Sequence, residues 1–317
     1  MTPRASIALP VHNGEDYLAR TLESILAQTY RDFELVISDN ASTDRTSAIC
    51  REFAARDPRI RYHRQSRNLG AVANFNRAHD LASGEYFKWA AHDDVLEPEY
   101  LAKCIAALDA KPDAILCQSV VKIVDDENQV LEVCRPVGPG ADSPRPSVRL
   151  AARLRQQRCL DVFGVIRADA MRGLMIRGDH IGADRTLLSE LALRGRFLLV
   201  DEPLLINREH PQRATRISRM RGRQELAAWY DPRAAERPEC STWTAYATHV
   251  ALIRTHVRDP RERLSCYAHL LGSLRWRWNW VFLLLEPLAA LDPRVLALAK
   301  GVKRSTGRAL SRILGQA

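Results

Sequence analysis

Short apolar runs alternate with amphipathic segments along the first hundred residues. Each run is bounded by polar residues, as buried strands are, and the segments between the runs repeat their apolar residues at helical spacing. The predicted strands are residues 6–13, 33–40, 60–65 and 85–91, and the predicted helices are residues 14–30, 42–59 and 71–83. This alternation predicts an α/β fold with a mostly parallel sheet covered by helices on both faces.

The middle of the chain continues this pattern less regularly. It predicts a strand at 114–126, a helix at 147–158, a strand and then a helix at 161–174, an amphipathic helix at 184–195 and an extended segment at 196–211. Residues 133–147 are rich in Pro and Gly, so we expect a loop there that can move as a lid over a site. From about residue 218 the pattern is helical. We therefore predict an α/β domain over residues 1–217 and a basic helical region over residues 218–317.

The composition is that of a soluble globular protein. Of the 317 residues, 46% are apolar and 27% are charged, which argues against a disordered chain. The seven cysteines are scattered and form no Cys-x-x-Cys pair, so we expect reduced, mostly buried thiols and no zinc site. The N-terminus lacks the apolar stretch of a secretory signal or a membrane anchor, and we expect a cytoplasmic protein.

Positive charge is concentrated in the last third of the chain. The net charge is +9, and residues 208–317 carry 20 Lys and Arg against 9 Asp and Glu. Residues 275–291 hold an apolar run that is shorter than the roughly 20 residues of a transmembrane helix. Two interpretations stay open: a helical subdomain packed on the α/β domain, or peripheral contact of residues 275–312 with anionic lipid. No nucleic-acid-binding motif is present in this region, so we expect no nucleic acid partner.

Polar clusters follow three of the predicted strands, at residues 10–13, 38–44 and 92–94. Ligands of parallel sheets bind beyond the carboxyl ends of the strands, so we expect these clusters to meet at one edge of the sheet. Within the second cluster, Asp39 can accept a hydrogen bond from a nucleobase, while its polar neighbours can cap the next helix.

Asp93 and Asp94 place two like charges side by side, which either a solvated turn or a bound cation explains. A divalent cation offsets the repulsion between the two carboxylates. Mg²⁺ or Mn²⁺ held by one or two carboxylates fills its other positions with water and phosphate oxygens. The ligand implied by a cation here is a nucleoside diphosphate, or a compound activated by one.

Several stretches taken together resemble family 2 glycosyltransferases. They are ALPVHNGEDYLARTLESILAQTY, ELVISDNASTDRT, RNLGAVANFNRAHDLASGEYFKWAAHDD and GADRTLLSELALRG, in the order and spacing of that family. The resemblance implies the GT-A fold, a Rossmann-like and mostly parallel sheet flanked by helices. It also implies an inverting enzyme of the kind used in polysaccharide biosynthesis, which moves a sugar from a nucleotide donor, with a UDP-sugar favoured. The acceptor would be a hydroxyl of a glycan, a lipid-linked molecule or a small molecule.

Positions that match the motifs of the family take their roles from the resemblance. Asp93 and Asp94 match the acidic motif that binds ribose and metal, with Mg²⁺ or Mn²⁺ as the implied cofactor, and Asp184 matches the catalytic base. The other donor-binding positions implied in this way are Pro10, His12, Glu15, Asp39, Arg67 and Asn68.

Two positions depart from the family pattern. Ala91 stands where the family often has the first carboxylate of its Asp-x-Asp-Asp motif, and Asn40 stands where a second carboxylate usually follows the second strand. Each departure leaves one carboxylate fewer. They leave open which of Asp93 and Asp94 binds the metal, and we favour Asp94.

Three side chains farther along the chain each have two explanations. Asp184 begins a predicted helix, where exposed amides favour an aspartate, but its ionised carboxylate can also take a proton from an acceptor hydroxyl. Asp179 is an alternative base. His210 follows a predicted strand, where it either contacts the metal or the diphosphate or belongs to a surface turn.

Two other functions are compatible with an acidic nucleotide site. The first is a nucleotidyltransferase, although the Gly-rich loop usual in that class is missing after the first strand. The second is a catalytically silent nucleotide-sugar-binding or scaffold protein, which the loss at Ala91 makes conceivable. A dinucleotide oxidoreductase is disfavoured because no Gly-x-Gly-x-x-Gly follows the first strand.

Overall fold

The computed structural model describes residues 2–156, 158–176, 182–210, 241–274 and 279–289. The strands are β1 (Ala5–Val11), β2 (Phe33–Asp39), β3 (Ile60–Arg64), β4 (Tyr86–Trp89), β5 (Val95–Leu96), β6 (Ala114–Val124), β7 (Val130–Cys134), β8 (Val165–Arg167) and β9 (Arg196–Arg208). The helices are α1 (Leu18–Leu26), α2 (Thr46–Arg56), α3 (Ala71–Asp80), α4 (Tyr100–Ala110), α5 (Pro146–Arg155), α6 (Ala183–Arg194), α7 (Ser241–His256), α8 (Pro260–Ser273) and α9 (Asn279–Ala289). A short 3₁₀ helix spans Leu160–Phe163.

Within the described residues the strands form one mixed sheet in the order β3-β2-β1-β4-β8-β6-β9-β5, with β7 paired to β6. The strands β1 to β4 are mutually parallel, and β8 runs antiparallel between β4 and β6. Because β6 and β9 pair in parallel, both point the same way as β1 to β4. The carboxyl ends of these six strands therefore lie at the same edge, which is called the carboxyl edge below.

Helices cover both faces of the sheet, which explains why β1 and β2 are buried at every position. Along β1, Ile7 and Leu9 pack in the cluster that includes apolar residues of α1, α2 and α4. Ala8 points to the opposite face, where α3, α5 and α6 contribute the apolar side chains. The predicted α/β fold and the helices on both faces are confirmed.

The helices α7 and α8 pack against α5 and α6. Leu252 and Ile253 of α7 and Leu270 of α8 form an apolar cluster with Leu150 and Leu193. Two histidines of α7 add polar contacts, because His249 lies 3.0 Å from the hydroxyl of Ser189 and His256 lies 2.9 Å from the carboxylate of Glu190. The described part of the helical region thus rests on the helix that begins at Ala183.

Glu286 interrupts the apolar run of α9 because it caps α7. Its side chain is buried and accepts hydrogen bonds at 3.1 Å from the amides of Thr242 and Trp243. Trp280 and Leu284 of α9 are exposed. Among the described residues, no helix is both long and apolar enough to cross a bilayer. The predicted domain boundary at residue 217 and most of the predicted lipid-contact segment lie outside the described residues.

The prediction that residues 133–147 form a lid over the site is wrong. The carbonyl of Ala141 accepts a 2.9 Å hydrogen bond from the amide of Phe197, at the start of β9, and Arg149 donates to the carbonyls of Ser143 and Pro144 at 2.9 Å. Because β9 begins at the edge opposite the carboxyl edge, this segment packs away from the predicted site. Its first residues also belong to β7, which sequence reasoning did not predict.

Two predicted helices differ from the structure. Residues 168–173 form turns instead of a helix after β8. The helix α6 begins at Ala183, with Gly182 in the left-handed region before it, and it is buried on most of its surface instead of on one face. The prediction of free cysteines is confirmed for the six described cysteines, of which four are buried.

Candidate active site

Loops from three strands meet at the carboxyl edge, as the sequence predicts. The amide of Asn40 donates to the carbonyl of Val11 at 2.8 Å, and the amide of Gly14 donates to the hydroxyl of Thr46 at 2.8 Å. His92 packs directly on Gly14, where an added Cβ would lie 2.6 Å from the His92 ring. A glycine is therefore required for the loops after β1 and β4 to approach this closely.

Asp39 ends β2 as a fully buried carboxylate. It accepts hydrogen bonds from the amide of Ser42 at 2.8 Å and from the hydroxyls of Tyr62 and Ser47 at 2.7 and 2.8 Å. Burial by itself would raise the pKa of Asp39, but the hydrogen bonds from Ser42, Tyr62 and Ser47 outweigh it and lower the pKa. Arg64 also lies 3.5 Å from this carboxylate, so the end of β2 holds a negative charge that is paired with an arginine.

His12 and Asn68 are hydrogen-bonded to each other near the ends of β1 and β2. The side-chain amide of Asn68 donates to Nε2 of His12 at 3.2 Å, and its Oδ1 accepts from Asn40 at 2.8 Å. Asn40 in turn accepts from the amide of Leu69 at 2.8 Å. This chain of bonds folds residues 65–70 over the ends of β1 and β2, and it leaves the Arg67 side chain exposed beside them.

Pro10 and Glu15 occupy different surroundings from His12. Pro10 is buried within β1, opposite Ser38 of β2. The carboxylate of Glu15 accepts a 2.9 Å hydrogen bond from the amide of Arg45, just before α2. Glu15 also lines an open groove of about 520 Å³ between α1 and α2, together with Phe53. In this structure its side chain supports the start of α2.

The buried carboxylates of Asp93 and Asp94 are bonded to different partners. This explains how two like charges can be adjacent. Asp93 accepts a 2.8 Å hydrogen bond from Nε2 of His210. Asp94 accepts from the side-chain amide of Asn207, at 2.8 Å to one oxygen and 3.1 Å to the other. Asn207 is near the end of β9 and His210 follows that strand, so the structure brings His210 to the acidic pair. A contact of His210 with metal or diphosphate stays a prediction.

The helix α1 contacts the loop that carries this acidic pair. The hydroxyl of Thr21 lies 2.8 Å from the carbonyls of both His92 and Asp94. The ring of Tyr17, directly before α1, lies 4.7 Å from the ring of His210. Sequence reasoning missed Thr21, Asn207 and the contact of Tyr17 with His210. The one available signal was the polar stretch Asn207–His210 after an apolar strand.

The donor set around His210 suits a cation that a bound ligand completes. Within the described residues, no three His, Cys, Asp or Glu side chains form a group that holds a metal by itself. His210 donates from Nε2 to Asp93, and its buried Nδ1 has no hydrogen-bond partner among the described residues. Carboxylate oxygens with phosphate oxygens and water are the ligands that Mg²⁺ and Mn²⁺ prefer. The residues present therefore fit a divalent cation bound together with a diphosphate.

Asp184 lies in the first turn of α6, half-buried, and accepts from the amide of Arg185 at 3.0 Å. The helix α6 leads into the start of β9, which is at the edge opposite the carboxyl edge. Its first turn is therefore on the side of the sheet where the strands end. Asp179, the alternative base, lies outside the described residues.

A buried ion pair that sequence reasoning missed lies near Asp184. Arg153 and Asp161 are 3.5 Å apart, and both side chains are almost inaccessible to water. Burial raises the pKa of Asp161 to about 6, although the charge of Arg153 opposes this shift and Asp184 adds to it. Arg153 also donates to the sulfur of Cys159 at 3.0 Å. The end of α5 and the 3₁₀ helix before β8 thus carry a buried pair of opposite charges close enough to Asp184 to affect the pKa of Asp161.

Comparison with known proteins identifies a family signature over just over half of the chain. A model of glycosyl transferase family 2 matches residues 6–168. A protein of Sinorhizobium fredii is 34% identical over 132 residues, which are 41% of this chain and 14% of that protein. A glycosyltransferase of Rickettsia typhi is 28% identical over 138 residues, 43% of this chain and 42% of its own length. The chain thus covers less than half of these relatives.

Solved structures share the fold at low sequence identity. The TarS fragment 1–349 of Staphylococcus aureus in complex with UDP superposes with a TM-score of 0.64 and 16% identity, over 94% of this chain and 83% of that one. The same fragment with UDP-GlcNAc also gives 0.64 and 16% identity, over 94% and 84%. The mannosyltransferase PcManGT of Pyrobaculum calidifontis, with GDP-Man and Mn²⁺, gives 0.55 and 19% identity, over 98% and 81%. These similarities confirm the GT-A fold.

Proposed function

Because the chain belongs to glycosyl transferase family 2, we propose that it transfers a sugar from a nucleotide diphosphate donor to an acceptor hydroxyl. The main observation behind the proposal is that the acidic pair contacts the end of β9. Asp93 is bonded to His210 and Asp94 is bonded to Asn207. These contacts lie at the same edge of the sheet as the loops after β1 and β2. The nucleoside and the diphosphate of one donor can therefore bind side by side there.

The nucleoside is proposed to bind at the ends of β1 and β2. His12 and Asn68 present polar atoms at the mouth of this region, and Asp39 fixes a negative charge beneath it. The carboxylate of Asp39 holds the loop after β2 through Ser42 and Ser47, so it shapes the base pocket whether or not it meets the base itself. Pro10, Glu15 and Arg67 stay predicted donor contacts. The UDP and UDP-GlcNAc of the TarS complexes favour a UDP-sugar.

The diphosphate is proposed to lie against the acidic pair. Asp94, Asp93 and His210 would hold Mg²⁺ or Mn²⁺, and the Mn²⁺ of the PcManGT complex supports this assignment. A divalent cation bound there stabilises the negative charge that develops on the leaving diphosphate. Asn207 keeps the Asp94 carboxylate in place by bonding both of its oxygens, so the acidic pair is ordered before a donor arrives.

Asp184 is proposed as the general base. It removes the proton of the acceptor hydroxyl while that oxygen attacks C1 of the sugar from the face opposite the diphosphate, so the anomeric configuration inverts. Its half-buried place in the first turn of α6 leaves the carboxylate accessible to an acceptor. The acceptor is proposed to be a hydroxyl of a glycan, a lipid-linked molecule or a small molecule.

The replacement Asp184→Asn tests the function. We expect the turnover of a UDP-sugar to fall at least about a hundredfold, because the amide cannot take the proton, while UDP binding measured by calorimetry changes little. The matched control is Asp169→Asn, which alters an exposed aspartate in the turn after β8 and should leave both quantities unchanged. Unchanged turnover in Asp184→Asn would remove this residue from the mechanism. A wild-type protein that binds UDP but turns over no donor in a panel of nucleotide sugars would support the silent-scaffold alternative.

A further inference from the structure

Tyr17 contacts His210 through its ring and a turn of the chain through its hydroxyl. The two ring centroids are 4.7 Å apart with an angle of 47° between the planes. The hydroxyl donates to the carboxylate of Asp126 at 2.9 Å. Burial and then the bond to Asp126 raise the pKa of Tyr17 to about 12, so the phenol keeps the proton that it donates. The side chain thus joins the end of β9 to the turn between β6 and β7.

That turn is itself bonded both to the end of β9 and to α1. Arg208 donates to the carbonyl of Asp125 at 2.9 Å and to Oδ1 of Asn128 at 2.8 Å, and its guanidinium lies over the Tyr17 ring at 5.6 Å. Arg20 of α1 donates to the same Oδ1 at 2.8 Å. The carboxylate that receives the Tyr17 hydroxyl therefore belongs to a turn held from two sides.

The buried His210 ring contacts both Asp93 and Tyr17. Nε2 is bonded to Asp93, and Nδ1 has no hydrogen-bond partner among the described residues. A single hydrogen bond fixes one atom of an imidazole, and packing around the ring must set its tilt about that atom. The ring of Tyr17 contributes to this packing, because its centroid lies 4.7 Å from that of the ring whose Nε2 bonds to Asp93.

We propose that Tyr17 is a positioning residue that holds the imidazole of His210 against Asp93, with its own ring kept in place by Asp126 and Arg208. The inference rests on the proposed function, because it assigns Tyr17 to the same cation and diphosphate site. Side chains that orient metal ligands without touching the metal commonly change affinity about 10- to 100-fold when they are lost. Tyr17 would thus act on cation binding and leave the proton transfer at Asp184 alone.

The test compares Tyr17→Leu with Tyr17→Phe in the full chain, by titrating Mn²⁺ against the protein at saturating UDP and detecting free Mn²⁺ by electron paramagnetic resonance. We expect Tyr17→Leu to weaken Mn²⁺ about tenfold or more, because the ring is lost. Tyr17→Phe keeps the ring and should weaken Mn²⁺ by only about threefold. Turnover of Tyr17→Leu at saturating Mn²⁺ should stay within about threefold of wild type, because the base is unchanged.

The matched control is Tyr30→Leu, the same replacement at a partly buried tyrosine beyond the other end of α1, which should leave Mn²⁺ affinity unchanged. If Tyr17→Leu does not fold, Asp126→Ala decides the question, because it removes the partner of the hydroxyl from an exposed position and should weaken Mn²⁺ about threefold. Unchanged Mn²⁺ affinity in Tyr17→Leu, or in Asp126→Ala where it replaces that test, would overturn the inference.

The same titration on His210→Ala separates this inference from the proposed function. If His210→Ala weakens Mn²⁺ binding and Tyr17→Leu does not, the positioning role of Tyr17 is contradicted and the proposed metal site is not. Unchanged affinity in His210→Ala would remove His210 from the metal site, and the role of Tyr17 with it, while Asp93 and Asp94 stay the proposed ligands. Wild-type protein that binds no Mn²⁺ at saturating UDP would remove the metal site itself.

Discussion

At the scale of single residues, the carboxylates of the carboxyl edge are each held by a different set of donors. Asp39 is bonded by Ser42, Ser47 and Tyr62 within its own half of the sheet. Asp93 and Asp94 are instead bonded by residues more than a hundred positions away. A buried carboxylate is tolerated only when such donors replace water, so each of these networks is also a contribution to stability.

The replacement Asp39→Asn should lower the free energy of unfolding by about 1–3 kcal/mol at pH 7, because three donors lose a charged acceptor. The hydrogen bonds lower the pKa of Asp39 in the folded state, so its contribution is present at neutral pH. It is lost as the pH falls below about 3.9 and through the folded-state pKa. Urea unfolding at pH 7 and at pH 3.5 should therefore show a gap between wild type and variant that narrows in acid.

The control for this experiment is Asp80→Asn, whose carboxylate is 70% exposed and should give no gap at either pH. A gap for Asp39→Asn that stays the same size from pH 7 to pH 3.5 would show that the charge of Asp39 does not contribute to the stability.

At the scale of elements, α1 connects parts of the site that are distant in sequence. Its Thr21 bonds the backbone of the acidic loop, its Arg20 bonds the turn after β6, and Tyr17 before it contacts the end of β9. Thr21 is buried with Leu18 and Leu22 on the side of α1 that packs on the sheet, whereas Arg20 is exposed and Tyr17 is half-buried. The packing of the buried side on the sheet holds all three contacts in place.

The replacement Thr21→Val removes the hydroxyl between His92 and Asp94 while keeping the shape of the side chain. The two carbonyls lose the hydroxyl proton that they share, and we expect a loss of about 1–3 kcal/mol in unfolding free energy. UDP affinity in the presence of Mn²⁺ should fall several-fold, because the acidic loop is less well ordered. Urea unfolding and calorimetry measure the two effects.

Thr255→Val is the matched control, because this hydroxyl is exposed and bonds only the carbonyl of Ala251 within α7. Wild-type stability and UDP affinity in Thr21→Val would mean that α1 does not organise the acidic loop.

At the scale of the whole molecule, the helices after residue 240 form part of the core and complete it on the side of α5 and α6. Leu150 and Leu193 pack in one buried cluster with Leu252, Ile253 and other apolar residues of α7 and α8. The helix that carries Asp184 is thereby packed between the sheet and the C-terminal helices. Stability of the site and packing of the C-terminal region are linked through α6.

A chain that ends at residue 240 should unfold at a temperature several degrees lower than the full chain, because Leu150 and Leu193 lose their apolar partners. The exposed apolar surface should also bind a hydrophobic dye. Equal melting temperatures for the shorter chain and the full chain would contradict the packing role of the C-terminal helices.

The sequence by itself determined the elements of the first half and the loops that bear the site. Apolar periodicity predicts β1 to β4 and α1 to α3 because it is a local property of the chain, and the carboxyl ends of parallel strands must share an edge. Polar residues after those strands, including Asp39 and His92–Asp94, could therefore be placed at one edge without coordinates. The resemblance to family 2 added the roles of these residues, which no periodicity contains.

Only the tertiary structure decided which partners these residues meet. The strand β5 has only two residues, and β7 is exposed at four of its five positions, so neither carries the pattern of a buried strand. The strand β8 lies between β4 and β6 through pairings that no local spacing encodes. Asn207 reaches Asp94 and His210 reaches Asp93 across more than a hundred positions. Tyr17 has the same spacing as the apolar residues of α1, yet it faces His210. Periodicity specifies which side of an element is buried, whereas the identity of the neighbour depends on how the elements pack.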